Sequence, residues 1–252
     1  MTIGSTGTDG PVVDLVGAGP GDPLLLTRRA ARLLAAADVV VVDRPSLDPV
    51  LALAPPTAER VHVGRTAAGP AWPLDQVADL LAARARAGCR VVRLKSGDPF
   101  VCSRGAEEMA ALAARGVACA ITPGVTAATA APLAAGAPRG ATVTVASGDA
   151  DRDPVAAAVP WEAVADPAAS LVVLTGRAAQ GAIAGRLIAA GLPATTPAAV
   201  VHGAGRDGTR VAPTTLAALG ATRLPPPAAF VVGPAVAPDG IQESRGSHGA
   251  HP

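Results

Sequence analysis

Aromatic side chains are nearly missing from this 252-residue chain: it has two Trp, two Phe and no Tyr, 2% in all. Four rings cannot build a platform on which successive nucleic-acid bases stack. Charge is scarce as well. Asp, Glu, Lys and Arg make up 16%, and the formal net charge is +1. That balance leaves no electrostatic footprint for nucleic acid or an anionic membrane. There are only three cysteines, Cys89, Cys102 and Cys119. They are odd in number, lie in apolar stretches and form no CxxC pair, which predicts reduced thiols in a cytoplasmic protein rather than a disulfide framework. The four histidines, His62, His202, His248 and His251, show no ligand spacing, and no metal is expected. The first basic residue is Arg28, so the charged start of a secretory signal is not expected either. The uncharged stretch 117–138 is long enough to cross a bilayer, but Pro123, Pro132, Pro138, Gly124 and Gly136 interrupt it. It reads as a strand, a turn and an Ala-rich helix.

Lysine is the scarcest charge. Lys95 stands alone against 20 Arg, a split that genomic codon bias explains for most surface positions. A bias that replaced Lys elsewhere did not replace it at 95.

What the chain does have is apolar mass. Hydrophobic residues make up 50% and the mean hydropathy is +0.37. That is too apolar for a disordered chain, and the length allows one large or two small domains with real cores. Short Val/Ile/Leu runs predict strands over 12–16, 39–42, 61–63, 90–94 and 118–122. Helical spacing fills 25–37, 74–87, 107–114 and 126–135 between and after them. This βαβα rhythm predicts a mostly parallel sheet covered on both faces. After Gly140 the pattern restarts, with strands over 142–146, 171–174, 198–201 and 229–232 and a helix over 178–190. The expected organisation is an α/β fold of two domains, 11–138 and 139–236, with frayed tails at 1–10 and 237–252.

Three segments leave a strand and enter a helix, which is the ligand edge of an open α/β sheet. The first is Val16-Gly17-Ala18-Gly19-Pro20-Gly21-Asp22-Pro23. Its glycines suit either a tight turn or a backbone that approaches a ligand. The details argue against a dinucleotide fingerprint, which ranks last among the readings: Asp22 would put a carboxylate where a pyrophosphate lies, and Pro20 removes a donor. The second runs Arg93-Leu94-Lys95-Ser96-Gly97-Asp98-Pro99-Phe100-Val101-Cys102-Ser103-Arg104-Gly105-Ala106-Glu107-Glu108, where Glu107 and Glu108 could simply complement a helix dipole. The third is Thr122-Pro123-Gly124-Val125-Thr126-Ala127-Ala128, in which Thr126 is either an N-cap or a ligand hydroxyl. Asp43, at the end of the second strand, sits where a ribose-binding acid would, or serves as a helix or turn cap.

In order and spacing these segments, with Ala37-Asp38-Val39-Val40-Val41-Val42-Asp43-Arg44, resemble the tetrapyrrole (corrin/porphyrin) methylases. Residues 93–108 are similar to the long signature of the branch that methylates uroporphyrinogen III. The resemblance spans about residues 12–236. It implies the tetrapyrrole methylase fold, two α/β domains with S-adenosylmethionine in the cleft between them, and a homodimer. It implies an S-adenosylmethionine-dependent C-methyltransferase that converts uroporphyrinogen III to precorrin-2 in sirohaem and cobalamin synthesis. Cofactor contacts then fall on Pro20, Gly97, Asp98, Val101, Thr126, Ala127, Thr175 and Ala204. The catalytic positions fall on Asp43 and Arg65, and further basic substrate positions on Lys95, Arg104 and Arg139. The chain departs from the family pattern at Val42, where a Tyr is usual, and in the short segment 136–140. Two alternatives follow: a methylase of the same fold acting on another precorrin or small acceptor, and a non-catalytic paralog.

Overall fold

The computed structural model describes residues 10–64, 70–137, 142–148, 159–174, 179–234 and 236. The chain forms two compact units, residues 1–126 and 127–252.

The first unit is built on β1 (Val12–Gly17), β2 (Val39–Val42), β3 (Glu59–His62), β4 (Val91–Lys95) and β5 (Ala118–Thr122), in the order β3-β2-β4-β1-β5. Every pairing in it is parallel. Both faces of β2 and β4 are buried, which is why these strands read as continuous apolar runs rather than alternations. Successive side chains of a strand point to opposite faces. Val92 and Leu94 of β4 join Val16, Val40, Val42 and Leu34 in one core layer. Val91 joins Val13, Val39, Val41, Leu81 and Leu112 in the other. Leu34 belongs to α1 (Arg28–Ala35). Leu81 lies on α3 (Leu74–Arg86) and Leu112 on α4 (Gly105–Ala113). A short helix, α2 (Asp48–Leu51), follows β2.

The helix expected over 25–37 is shorter. The Asp22 carboxylate accepts from the Leu24 N–H at 2.8 Å and caps the start of a separate 3₁₀ turn, Pro23–Leu25. Thr27 then caps α1 by accepting from the Ala30 N–H at 3.1 Å.

The second unit holds α5 (Ala127–Ala134), α6 (Gln180–Ala189) and strands β6 (Val143–Ser147), β7 (Ser170–Leu174), β8 (Pro197–His202), β9 (Arg210–Thr215) and β10 (Ala228–Val232). Their order is β6-β7-β10-β8-β9. Only β6 and β7 pair in parallel, and the other three pairings are antiparallel. The apolar strand runs do not encode that direction. Strand β9 has no counterpart in the sequence reading. It is an edge strand that carries Pro213, a residue tolerated only where one side of the ladder is free. α5 packs on β7 and β10, so the units divide before Ala127 and not after Pro138. Phe230, Leu187, Leu216 and Leu219 centre this unit's core.

Candidate functional site

The site-bearing segments of the first unit converge where β1, β4 and β5 end. Gly19 and Gly97 form a two-residue bridge: the Gly97 N–H donates to the Gly19 carbonyl at 2.7 Å, and the Gly19 N–H returns to Gly97 at 3.2 Å. A Cβ at Gly17 would lie 2.5 Å from the Gly124 nitrogen, and one at Gly124 would lie 2.2 Å from the Gly97 carbonyl oxygen. The alternate glycines are therefore first a packing device, letting three loops meet backbone to backbone.

Asp98 fastens the same junction. Its Oδ1 accepts from the Phe100 N–H at 2.8 Å and its Oδ2 from the Gly124 N–H at 3.1 Å. Gly97 takes φ +69°, and a Cβ there would meet only the Thr126 Cα, at 3.8 Å. Pro20 is buried beside this loop, and Val101, Thr126 and Ala127 are half-buried. Ala204 is buried in the second unit, in the turn after β8 between Gly203 and Gly205, both at positive φ. Arg65, Arg139 and Thr175 lie outside the described residues.

Behind these loops sits a group that sequence reasoning did not assemble. Arg93 and Lys95, two apart on β4, lie on the sheet face that α3 and α4 cover. Glu108 and Leu112, four apart on α4, are both buried on the helix side that meets this face. The Glu108 carboxylate takes both cations. Arg93 Nε donates to Oε2 at 2.8 Å and Nη2 to Oε1 at 3.1 Å, while Lys95 Nζ donates to Oε1 at 2.5 Å. Arg93 Nη1 also reaches the Val41 carbonyl at 3.3 Å. Arg93, Lys95 and Glu108 are at most 5% exposed. Glu108 is thus more than a dipole complement, and Lys95 and Arg93 are interior cations.

Burial alone would raise the Glu108 carboxyl, but Arg93 and Lys95 outweigh it and hold the group below its ordinary range. Burial pushes the Lys95 ammonium down, against the pull of Glu108.

Asp43 closes the cluster from the end of β2. Its Oδ2 lies 3.7 Å from Arg93 Nη2, and its side chain is 28% exposed. Its Oδ1 is shielded from solvent and finds no hydrogen-bond partner among the described residues. Asp43 is therefore not a cap. Gly64 lies so close that a Cβ there would sit 1.6 Å from the Asp43 carbonyl oxygen, which fixes the backbone that carries this carboxylate.

Arg104 is exposed at the start of α4 and pairs with Glu107. Among the described residues no three His, Cys, Asp or Glu side chains gather as a metal site, and no helix is long and apolar enough to cross a membrane. The three cysteines are unbridged, and burial pushes Cys119 up to about 11.

A parallel sheet with glycine loops and a carboxylate at its strand ends, followed by a mixed second sheet, makes this a two-unit α/β protein with its site-bearing loops at the strand ends of the first sheet. Residues 12–220 match the tetrapyrrole (corrin/porphyrin) methylases, and the chain belongs to that family. It is 40% identical over 245 residues to a uroporphyrinogen-III C-methyltransferase of Paracoccus denitrificans, covering 90% of this chain and 85% of that protein. It is 43% identical over 200 residues to a siroheme synthase of Pseudomonas fluorescens, of which it spans 42%. Among solved structures, the uroporphyrin-III C-methyl transferase of Thermus thermophilus complexed with S-adenosylhomocysteine superposes with a TM-score of 0.76 at 37% identity. That match covers 89% of this chain and 98% of the other. A cobalt-precorrin-4 methyltransferase of cobalamin biosynthesis gives a TM-score of 0.76 at 28% identity, covering 90% of this chain and 96% of that one.

Proposed function

We propose that the chain transfers methyl groups from S-adenosylmethionine to ring carbons of uroporphyrinogen III, giving precorrin-2 by two successive methylations. The observation that carries this reading is the 40% identity to a uroporphyrinogen-III C-methyltransferase over 90% of the chain.

The strand-end loops suit the cofactor. Pro20 offers no N–H, the Asp22 carboxylate is occupied as a cap and Lys95 is tied to Glu108. A proline, a carboxylate and a buried, paired lysine are poor material for a pyrophosphate cradle. The loops suit a cofactor that carries a sulfonium cation in place of a pyrophosphate. Pro20, Gly97, Asp98, Val101 and Thr126 are the proposed cofactor positions of the first unit, with Ala127, Thr175 and Ala204 from the second. The open side of Gly97 leaves room beside Thr126.

Bound there, S-adenosylmethionine supplies an electrophilic methyl on a cationic sulfur. An electron-rich pyrrole carbon of the substrate would take that methyl, with the C–S bond's electron pair left on sulfur, and the methylated ring would give up one proton. Asp43, with an unpartnered oxygen, takes that proton. Arg65, Arg104 and Arg139 meet carboxylates of the substrate, for which the guanidinium fork is suited. Positioning does most of the work.

A cytoplasmic homodimer belongs to the same proposal. Three unbridged cysteines suit a reducing compartment, and the dimer rests on the family resemblance. The net charge of +1 argues against a nucleic-acid partner.

The test is an anaerobic assay of the purified protein with uroporphyrinogen III and methyl-labelled cofactor. Label in precorrin-2 supports the reading. Cofactor binding without transfer overturns the substrate and favours the second reading, a later precorrin, which the likeness to the cobalt-precorrin-4 methyltransferase supports.

A further inference from the structure

Arg93 is built to hold something still. Its Nε and Nη2 are taken by Glu108 at 2.8 and 3.1 Å, and its Nη1 points to the Val41 carbonyl at 3.3 Å. Val41 lies on β2 two residues before Asp43, and it is the register partner of Arg93 in the parallel ladder. The guanidinium therefore spans from α4, across β4, to the strand that carries Asp43. From that anchored position its Nη2 faces Asp43 Oδ2 at 3.7 Å. Lys95 completes the anchor by sharing Glu108 Oε1 at 2.5 Å. A pair confined to stability would need only Arg93 and Glu108. What the pair alone does not explain is its reach to a partly exposed carboxylate, one oxygen of which has no hydrogen-bond partner among the described residues.

We propose that Arg93 is a positioning residue for methyl transfer: clamped by Glu108 and β2, its guanidinium fixes the Asp43 carboxylate in the orientation that receives the proton. This rests on the role given to Asp43 above. Arg93 itself touches no substrate, because it is interior. The carboxylate needs such a brace. Its own backbone is fixed by Gly64, but no hydrogen bond among the described residues holds its Oδ1.

Among the described residues, the charged groups around Asp43 are Arg93 and Lys95 from β4 and, behind them, Glu108 from α4. Arg93→Lys keeps the charge but cannot grip Glu108 in a fork and face Asp43 at once. It should melt as a folded protein and bind S-adenosylhomocysteine like the parent in calorimetry. Its kcat should fall about tenfold or more with KM little changed, as expected of a mispositioned reacting group, and the acid limb of its kcat–pH profile should move. Asp43→Asn is made in both backgrounds. If Arg93 acts through Asp43, the double variant is no slower than Asp43→Asn alone, whereas independent effects multiply to within about twofold. Should Arg93→Lys not fold, Glu108→Asp shortens the clamp with every charge retained, and the same drop in kcat is expected.

A folded Arg93→Lys or Glu108→Asp with parental kcat and pH profile overturns the inference, as do multiplying effects in the double variant. Parental activity in Asp43→Asn is a different failure: it removes the role of Asp43 itself.

Discussion

The two sheets bury comparable apolar cores with different interiors. In the first unit, the buried polar set includes three ionisable side chains, Arg93, Lys95 and Glu108. In the second unit, the buried polar side chains among the described residues are Ser147, Ser170, Gln180 and Thr196, none of them ionisable. Interior charge is costly unless it is paired and hydrogen-bonded. A fold that can close the second core with Phe230, Leu216 and Leu219 has no structural need of it in the first. The difference teaches that the first unit accepts a less forgiving interior next to the carboxylate at the end of β2. The proposed chemistry at Asp43, rather than packing, accounts for these residues.

The sharpest way to break this contrast is to truncate one core residue in each unit. Glu108→Ala leaves two buried cations without their shared partner and should cost about 3–5 kcal/mol of stability. Phe230→Ala opens a cavity in the second core and should cost a similar amount, about 3–5 kcal/mol. Denaturant titration of each variant checks both figures. A loss below about 1 kcal/mol in Glu108→Ala would mean that the cluster is hydrated, and the two interiors would then be alike.

The pH dependence separates the two costs. Glu108 has a folded pKa lowered from its ordinary 4.5 by Arg93 and Lys95, against its own burial. Its ionic stabilisation is therefore complete above about pH 5. It is lost as the pH falls from there through the lower folded value, because the unfolded chain binds the proton first. Unfolding midpoints measured down the acid limb should fall less steeply in Glu108→Gln than in the parent, and Phe230→Ala should keep the parental slope. An unchanged slope in Glu108→Gln would assign the acid sensitivity to other carboxylates.

Much of the first unit was legible in the sequence because parallel strands buried on both faces leave continuous Val/Leu runs, and glycines mark the turns between them. The second unit was less so. Its strand runs give position but not direction, and β9 hides behind Pro213. At the site, Asp43 and the glycine loops stood out as residue types at strand ends. The Glu108 clamp did not, because its logic is three-dimensional: alternate residues on β4 meet the inner side of α4. One signal was available. Glu108 shares its helix face with Leu112, and a carboxylate there opposite Arg93 and Lys95 is a buried pair in waiting.

Smaller effects test the loops. Gly124→Ala would place a Cβ 2.2 Å from the Gly97 carbonyl and 2.9 Å from Gly17. Both neighbours are backbone, so the strand ends must separate, at about 1–3 kcal/mol. S-adenosylhomocysteine affinity should weaken along with melting temperature, since the same junction carries the proposed cofactor loops. Parental affinity in a destabilised Gly124→Ala would separate the packing of these loops from binding.

The second unit offers the opposite case. Gly185 sits in the middle of α6, exposed, with nothing within 4 Å of an added Cβ. Glycine there gives up backbone entropy on folding with no close approach to justify it. Gly185→Ala should therefore raise stability by roughly 0.5–1 kcal/mol, read as a higher unfolding midpoint with unchanged methyl transfer. Two Gly→Ala changes of opposite sign would show that the glycines of the first unit are held by geometry, and that this one reflects the small-residue bias of the chain. A loss of stability in Gly185→Ala would mean that α6 packs against something at that position, and the second unit would no longer be the permissive half.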